Sequence, residues 1–438
     1  MSLSALTTTA TSAPVGELLR TFGGPIHLPG DETYDAQRAA LNPAFDSRPA
    51  VVAEAMTPTD VRTAVQVART HGLPFAVQST GHGTFVPSDG GLLVKTSRLA
   101  QVLVDPDRRI ARVGPGARWS EVIAAAAPFG LAPLSGSSPA VGVSGYTLGG
   151  GVGWLGRKYG FAADSLLRVD VATADGRHLT ASRGVHPELF WALRGGGGNF
   201  GVVTALEFRL HPVAEAYGGA AYFPIERAAE TLAYYRDWAA TQPDELTTTV
   251  VLMQRSPKAG IDGPVLAIRG FHVGSPADGE RALRPLRRIA GAALVDEFRP
   301  MTYPDAASIG GTAPRQLELY DALPDPLVDT VVDAVGGEAP TIAAVEVRQW
   351  GGAMADAGPD AGPVGHRDVP FSITIDGSAE AAAPLAAHAT GGSYLNWLHD
   401  TSRTADAYTP ADFARLRDVK RAYDPDNAFR RHHNIPPA

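Results

Sequence analysis

The 438-residue chain is 44% hydrophobic and 19% charged, the balance of a folded globular protein and, at this length, of two domains rather than one. Its net charge is −8 with the two signs mixed along the chain, so no basic stripe marks a nucleic-acid partner, and no apolar run approaches the ~20 residues that span a bilayer. The absence of cysteine excludes disulfides, thiolate metal sites and cysteine nucleophiles.

The first thirty or so residues begin with Ser, Thr and Ala and lack a charged start followed by an apolar core. Residues 1–30 are therefore expected to be a flexible leader rather than a secretory signal, and the protein is expected to be soluble and cytoplasmic. From about residue 51 to 210, short β-like runs alternate with amphipathic helical ones. Thr57-Pro58-Thr59-Asp60 predicts a helix start, with Thr57 as cap and Pro58 in the first position. Phe75-Ala76-Val77 reads as a strand leading to Gly81-His82-Gly83. Further strands are expected over 92–94, 102–104 and 110–113, and Trp119, Val122, Ile123 and Ala126 form a helical stripe. The spacing predicts helices over 225–241, 276–290 and 326–335 and strands over 247–253, 265–269, 343–348 and 371–375, with a loop over 356–365. Near the end, Phe413, Leu416 and Val419 make a helical stripe that stops at the turn composition of residues 423–427.

Glycine is dense in three places: Gly81-His82-Gly83, Val141 to Gly156, and Gly195 to Gly201. Glycine serves where the backbone takes positive φ or lies against another surface, and amide-lined concavities of this kind suit a diphosphate. The phosphate-loop signature is missing, and the segment before Gly149 is too glycine-broken for the strand of a Rossmann fingerprint. Another dinucleotide fold is implied.

The stretches Gln78-Ser79-Thr80-Gly81-His82, Val113-Gly114-Pro115-Gly116 with Trp119, Val141 to Gly153, Pro187 to Val203 and Tyr423 to Arg430 carry a resemblance. The sequence resembles the vanillyl-alcohol oxidase and p-cresol methylhydroxylase superfamily of FAD enzymes, and within it the branch of berberine-bridge-like enzymes and bacterial nicotine oxidases. The resemblance implies an α+β fold: a two-lobed FAD-binding domain of mixed sheets and helices over 31–211 and 405–438, and an inserted substrate domain over 212–404 with an antiparallel sheet covered by helices. It implies FAD held by an 8α bond to His82. Gln78 stands where the family usually has arginine, and Ser138 where many relatives have the cysteine of a second flavin bond, which leaves a single attachment. The implied cofactor wall includes Ser79, Thr80, Gly81, Gly83, Ser138 and Val141. It continues with Gly142, Gly145, Gly149, Gly150 and Gly153. Gly198, Asn199, Gly201, Val202 and Asn434 complete it. Val141 occupies the position that controls oxygen access, and valine there goes with oxidases.

Strand alternation puts Ala344, Glu346, Arg348 and Trp350 on one face. Two readings stay open: a substrate-facing wall, toward which the resemblance points at Glu346, or a solvated strand face. Ser393 to Asn396 matches a strand that reaches the flavin in relatives, so Tyr394 is either a proton acceptor with Asn396 as amide partner or a core residue. His432-His433 lacks a third ligand at useful spacing, so no metal is expected. The expected partners are a small-molecule substrate and O2, with no membrane. The function implied is an FAD-dependent oxidase that takes a hydride from a C–N or C–O bond of a small aromatic or alkaloid-like metabolite and yields H2O2. A sugar or oligosaccharide oxidase, or a flavin-bearing protein that binds a ligand without turnover, are the alternatives.

Overall fold

In a computed structural model, which describes residues 12–312, 315–356 and 358–438, Thr57 caps the helix Pro58–Thr70 as its sequence predicts. Thr57 Oγ1 accepts from the Asp60 amide, and the Asp60 carboxylate accepts in return from the amides of Met56, Thr57 and Gly23. Val61, Ala64, Val65 and Ala68 bury one stripe of this helix in a core shared with a four-stranded sheet. That sheet pairs Val51–Glu54, Leu92–Lys95 and Phe75–Gln78 in parallel and adds Ile26–His27 antiparallel at one edge. The helix Ala13–Thr21 packs into the same core through Val15 and Leu18. The expectation of a flexible leader over 1–30 is therefore corrected for residues 12–30, because an apolar stripe at helical spacing finds a partner; residues 1–11 lie outside the described ones.

A second sheet of five strands is antiparallel throughout, in the order Val102–Asp105, Ile110–Val113, Val202–Arg209, Leu166–Ala172 and His178–Ser182. The helices Trp119–Ala126, Pro187–Leu193 and Pro410–Tyr423 share its core, so the end of the chain returns to the first part of the fold. The glycine-rich run from Val141 contains the short helix Val143–Leu148.

The third sheet has eight antiparallel strands and begins with Ala216–Pro224, which the sequence pattern did not reveal. Every residue of that strand up to Phe223 is buried, and Gly218-Gly219 with Pro224 hides its alternation. Leu246–Met253, Val265–Val273, Ala344–Gln349 and Phe371–Asp376 match the expected strands, and Gln316–Tyr320 is a further one. Four helices, Ala228–Ala239, Pro276–Ala290, Asp325–Gly336 and Ala379–Ala386, cover one face and share a core with Val345, Val347, Ile373 and Ile375. Alternation then sends Glu346, Arg348 and Thr374 to the other face. The matched α+β architecture, with its helix-covered antiparallel sheet, is the one expected.

Two arginines, Arg157 buried and Arg367 partly buried, lock this sheet to the rest. Arg157 donates to the carbonyls of Leu246 (2.9 Å), Gln242 (3.0 Å) and Trp350, and Arg367 grips Asp164 through both nitrogens at 2.8 and 2.9 Å. Among the described residues, no helix is long and apolar enough to cross a membrane.

Candidate functional site

A cavity of about 870 Å³ opens between the uncovered face of the large sheet and the glycine-rich segments, and a narrower one of about 220 Å³ extends it toward the two smaller sheets. Gln78, Ser79, Gly83, Gly145, Gly198 and His432 line both, so the two form one continuous groove. The strand Phe75–Gln78 delivers its carboxyl end to the groove, and Val77 is 44% exposed because it faces that space rather than core. Gly81 takes φ of 82°, a turn that a β-carbon would strain, and aims the next residue outward.

The groove has the character of a binding site with polar groups waiting. Among the described residues, Ser79 Oγ, Ser144 Oγ, Tyr146 OH and His432 Nε2 are buried with no partner. Buried hydroxyls of this kind are normally satisfied, so they mark where a ligand completes the bonding. A β-carbon on Gly145 would meet nothing within 4 Å, and one on Gly83 nothing nearer than 3.9 Å; both backbones border open space. Other glycines serve packing instead. A β-carbon on Gly149 would lie 1.7 Å from Asn396 Oδ1, and one on Gly153 1.9 Å from the Ser135 carbonyl. These residues fit an extended dinucleotide, which they would hold along the groove.

His82 projects into the wide cavity, with its Nδ1 3.0 Å from Thr80 Oγ1. Burial, reinforced by Arg118, lowers its pKa below the usual histidine value, so it presents a neutral imidazole. Ser138 and Val141 border the same cavity. Gln78 lies in both walls, its amide donating to the Ala39 carbonyl at 2.9 Å. Thr80, Gly81 and Gly142 line the wide part, and Gly201 and Val202 the narrow part.

Three residues expected on the cofactor wall line neither part: Gly150, Asn199 and Asn434. Asn199 is fully buried and acts as a staple, donating to the carbonyls of Gly196 and His433 and accepting from the Ile435 amide, each at 2.9 Å. It ties the carboxyl-terminal segment to the third glycine cluster. Gly150 packs on Tyr394, whose hydroxyl would be 3.0 Å from an added β-carbon.

The sheet wall carries charge. Glu346 is 3% exposed and is held by Arg269 at 3.0 Å and Arg348 at 2.8 Å, with the Thr312 amide at 3.2 Å. Burial alone would raise its pKa, but the two guanidiniums prevail and hold the carboxyl below its usual value. The solvated-face reading of Glu346 and Arg348 is thus excluded by their burial. An ion-paired carboxylate with a depressed pKa is also a weak base.

Ser393 to Asn396 is not the expected strand. Tyr394 is extended, and Leu395–Trp397 forms a single 3₁₀ turn. Tyr394 is buried among the rings of Phe161, Trp350 and Trp397, and burial pushes its hydroxyl well above the ordinary phenol value. It does not line the cavity, which favours its core reading. Asn396 does line it, donating to the Tyr146 carbonyl at 2.8 Å. Sequence reasoning missed Tyr146 and Arg269. Tyr146 sits one residue past Gly145 inside the glycine-dense run, and Arg269 shares its sheet face with Glu346 only through pairing across Leu246–Met253.

Residues 49–182 match the family described as FAD binding domain, and residues 393–436 match the berberine and berberine-like family. The chain is 28% identical to the (R)-6-hydroxynicotine oxidase of Paenarthrobacter nicotinovorans, over 94% of this chain and 97% of that one. It is 25% identical to the xylooligosaccharide oxidase of Thermothelomyces thermophilus, over 96% and 94%. The crystal structure of 6-hydroxy-D-nicotine oxidase from Arthrobacter nicotinovorans superposes with a TM-score of 0.84 at 26% identity, covering 95% of this chain and 98% of that one.

Proposed function

Because the chain is an FAD-dependent oxidoreductase of the berberine-bridge-like branch of the vanillyl-alcohol oxidase superfamily, we propose that it oxidises a C–N or C–O bond of a small aromatic or alkaloid-like metabolite, using FAD attached once, 8α, to His82. The observation that carries this reading is that His82 and the Glu346–Arg348 wall face one cavity continuous with the glycine-bordered groove. FAD, when bound, would supply the hydride acceptor and the two-electron chemistry that reduces O2, with two protons, to H2O2. The domain division that goes with this reading assigns 31–211 and 405–438 to the cofactor and 212–404 to the substrate.

The residues have separate tasks. His82 fixes the cofactor's position, and its neutral form supplies the lone pair that attachment requires. Trp154, Trp397 and Tyr146 give the cavity flat walls that suit an aromatic ring and exclude water. Glu346, held ionised, orients polar groups rather than taking a proton, so the reading favours a substrate that needs no strong base, such as a neutral amine. Val141 lines the same cavity, and in this reading its side chain sets the access of oxygen. The sugar-oxidase reading draws on the xylooligosaccharide oxidase relative, but Ser138 cannot form a second flavin bond.

The test is a metabolite screen that follows flavin bleaching without oxygen and then oxygen uptake with peroxide release. Bleaching by aromatic amines or alcohols with stoichiometric peroxide is expected, and Val141→Leu should slow the oxygen step. Bleaching by oligosaccharides alone would favour the second reading, and no bleaching by any compound that binds would favour a non-catalytic protein.

A further inference from the structure

The sheet wall of the cavity holds two guanidiniums and one carboxylate. Among the described residues that line the cavity, Glu346 is the sole carboxylate, and it is shared between Arg348 in the wall and Arg269 behind it. All three side chains are nine-tenths or more buried. The count leaves one positive charge without an answering anion in a place removed from water, and such a charge is retained where something else completes it. The donors are also incomplete: the Nε–H groups of Arg348 and Arg269 have no acceptor among the described residues. Arg348 is further fixed by Trp154, whose ring lies 5.1 Å beneath its guanidinium carbon and lines the cavity beside it.

We propose that Arg348 selects substrates that carry a carboxylate or an equivalent anion, with the spare charge of the Glu346–Arg269–Arg348 cluster as the docking point. This deepens the oxidase reading and rests on it: the bond oxidised belongs to an acidic member of the small aromatic class. A guanidinium presents a planar fork that carboxylates match, so a carboxylate gains both charge and geometry there. A cationic amine set on Glu346 would instead place a third cation on one carboxylate. A neutral hydroxyl could accept from Nε–H but would leave the charge unanswered.

Benzoate and benzamide, flat rings of near-equal size that differ in charge, provide the test. Each is titrated into flavin-loaded protein, with binding read by calorimetry and by perturbation of the flavin absorbance. Benzoate is expected to bind at least roughly tenfold tighter than benzamide. Arg348→Gln, which leaves the Glu346–Arg269 pair in place, should bring the two to within about twofold, while Arg348→Lys keeps the charge and most of the preference. Equal affinity of the wild type for the two probes, no benzoate binding, a preference that survives Arg348→Gln, or its loss in Arg348→Lys as well would each overturn the inference. Failure of the oxidase reading would look different: a protein that discriminates the probes while no metabolite bleaches its flavin.

Discussion

A carboxylate removed from water stays ionised only where its charge is answered, and Glu346 is answered twice. Its depressed pKa makes it a stabilising group above the unfolded carboxyl value of ~4.3, and that contribution is lost as the pH falls through its folded value. Glu346→Gln leaves two guanidiniums facing each other and should cost about 3–5 kcal/mol at neutral pH. Melting temperatures measured from pH 7 downward should therefore converge between wild type and variant on acidification; a gap that stays constant would mean that the ionised form is not what stabilises. Alternation along Ala344–Gln349 made this residue legible in the sequence. Arg269 was not, because its partnership with Glu346 crosses an intervening strand, and no local pattern records such a neighbour.

At the scale of elements, the carboxyl-terminal helix Pro410–Tyr423 and the turn after it act as a clasp. The Lys420 ammonium spends its three protons on Asp424 (2.6 Å), the Asn199 carbonyl (2.9 Å) and the Phe429 carbonyl (2.8 Å), all inside the core. Asp424 in turn accepts from the amides of Ala428 and Phe429. Lys420→Met would strand that carboxylate, at a cost of about 3–5 kcal/mol in denaturant unfolding. It should also free the segment that brings His432 and His433 to the groove, read as faster digestion by protease at the carboxyl end. An unchanged unfolding midpoint would show that the pair is replaceable. Elements announced by caps and periodicity were legible: Pro276–Ala290 to the residue, and Pro58–Thr70 at its capped start. Those whose pattern is diluted by glycine or alanine, such as Ala216–Pro224 and Ala379–Ala386, were not.

At the scale of the molecule, the groove exists because two unlike surfaces meet. One is a sheet with helices on a single face, whose uncovered side turns Glu346, Arg348 and Thr374 outward. The other is a set of glycine-bordered turns delivered by short strands and closed by the returning carboxyl end. Arg157 and the Asp164–Arg367 pair hold the two together, so the groove is part of the folded architecture rather than a product of ligand binding. Most residues that the sequence motifs singled out on the glycine-bordered side line the groove, since turns with positive φ or open space beside the backbone leave a glycine pattern. The motifs marked the sheet side poorly, since any polar group of suitable size can stand there, and substrate choice resides in that freedom.

In the proposed function this groove grips one FAD through His82. The direct measurement is the absorbance of purified protein before and after acid precipitation and redissolution in denaturant, for wild type and His82→Ala. Flavin colour that stays with the wild-type polypeptide and is released from His82→Ala is the predicted result. A folded wild-type protein that is colourless and takes up no added FAD would show that the groove does not hold this cofactor.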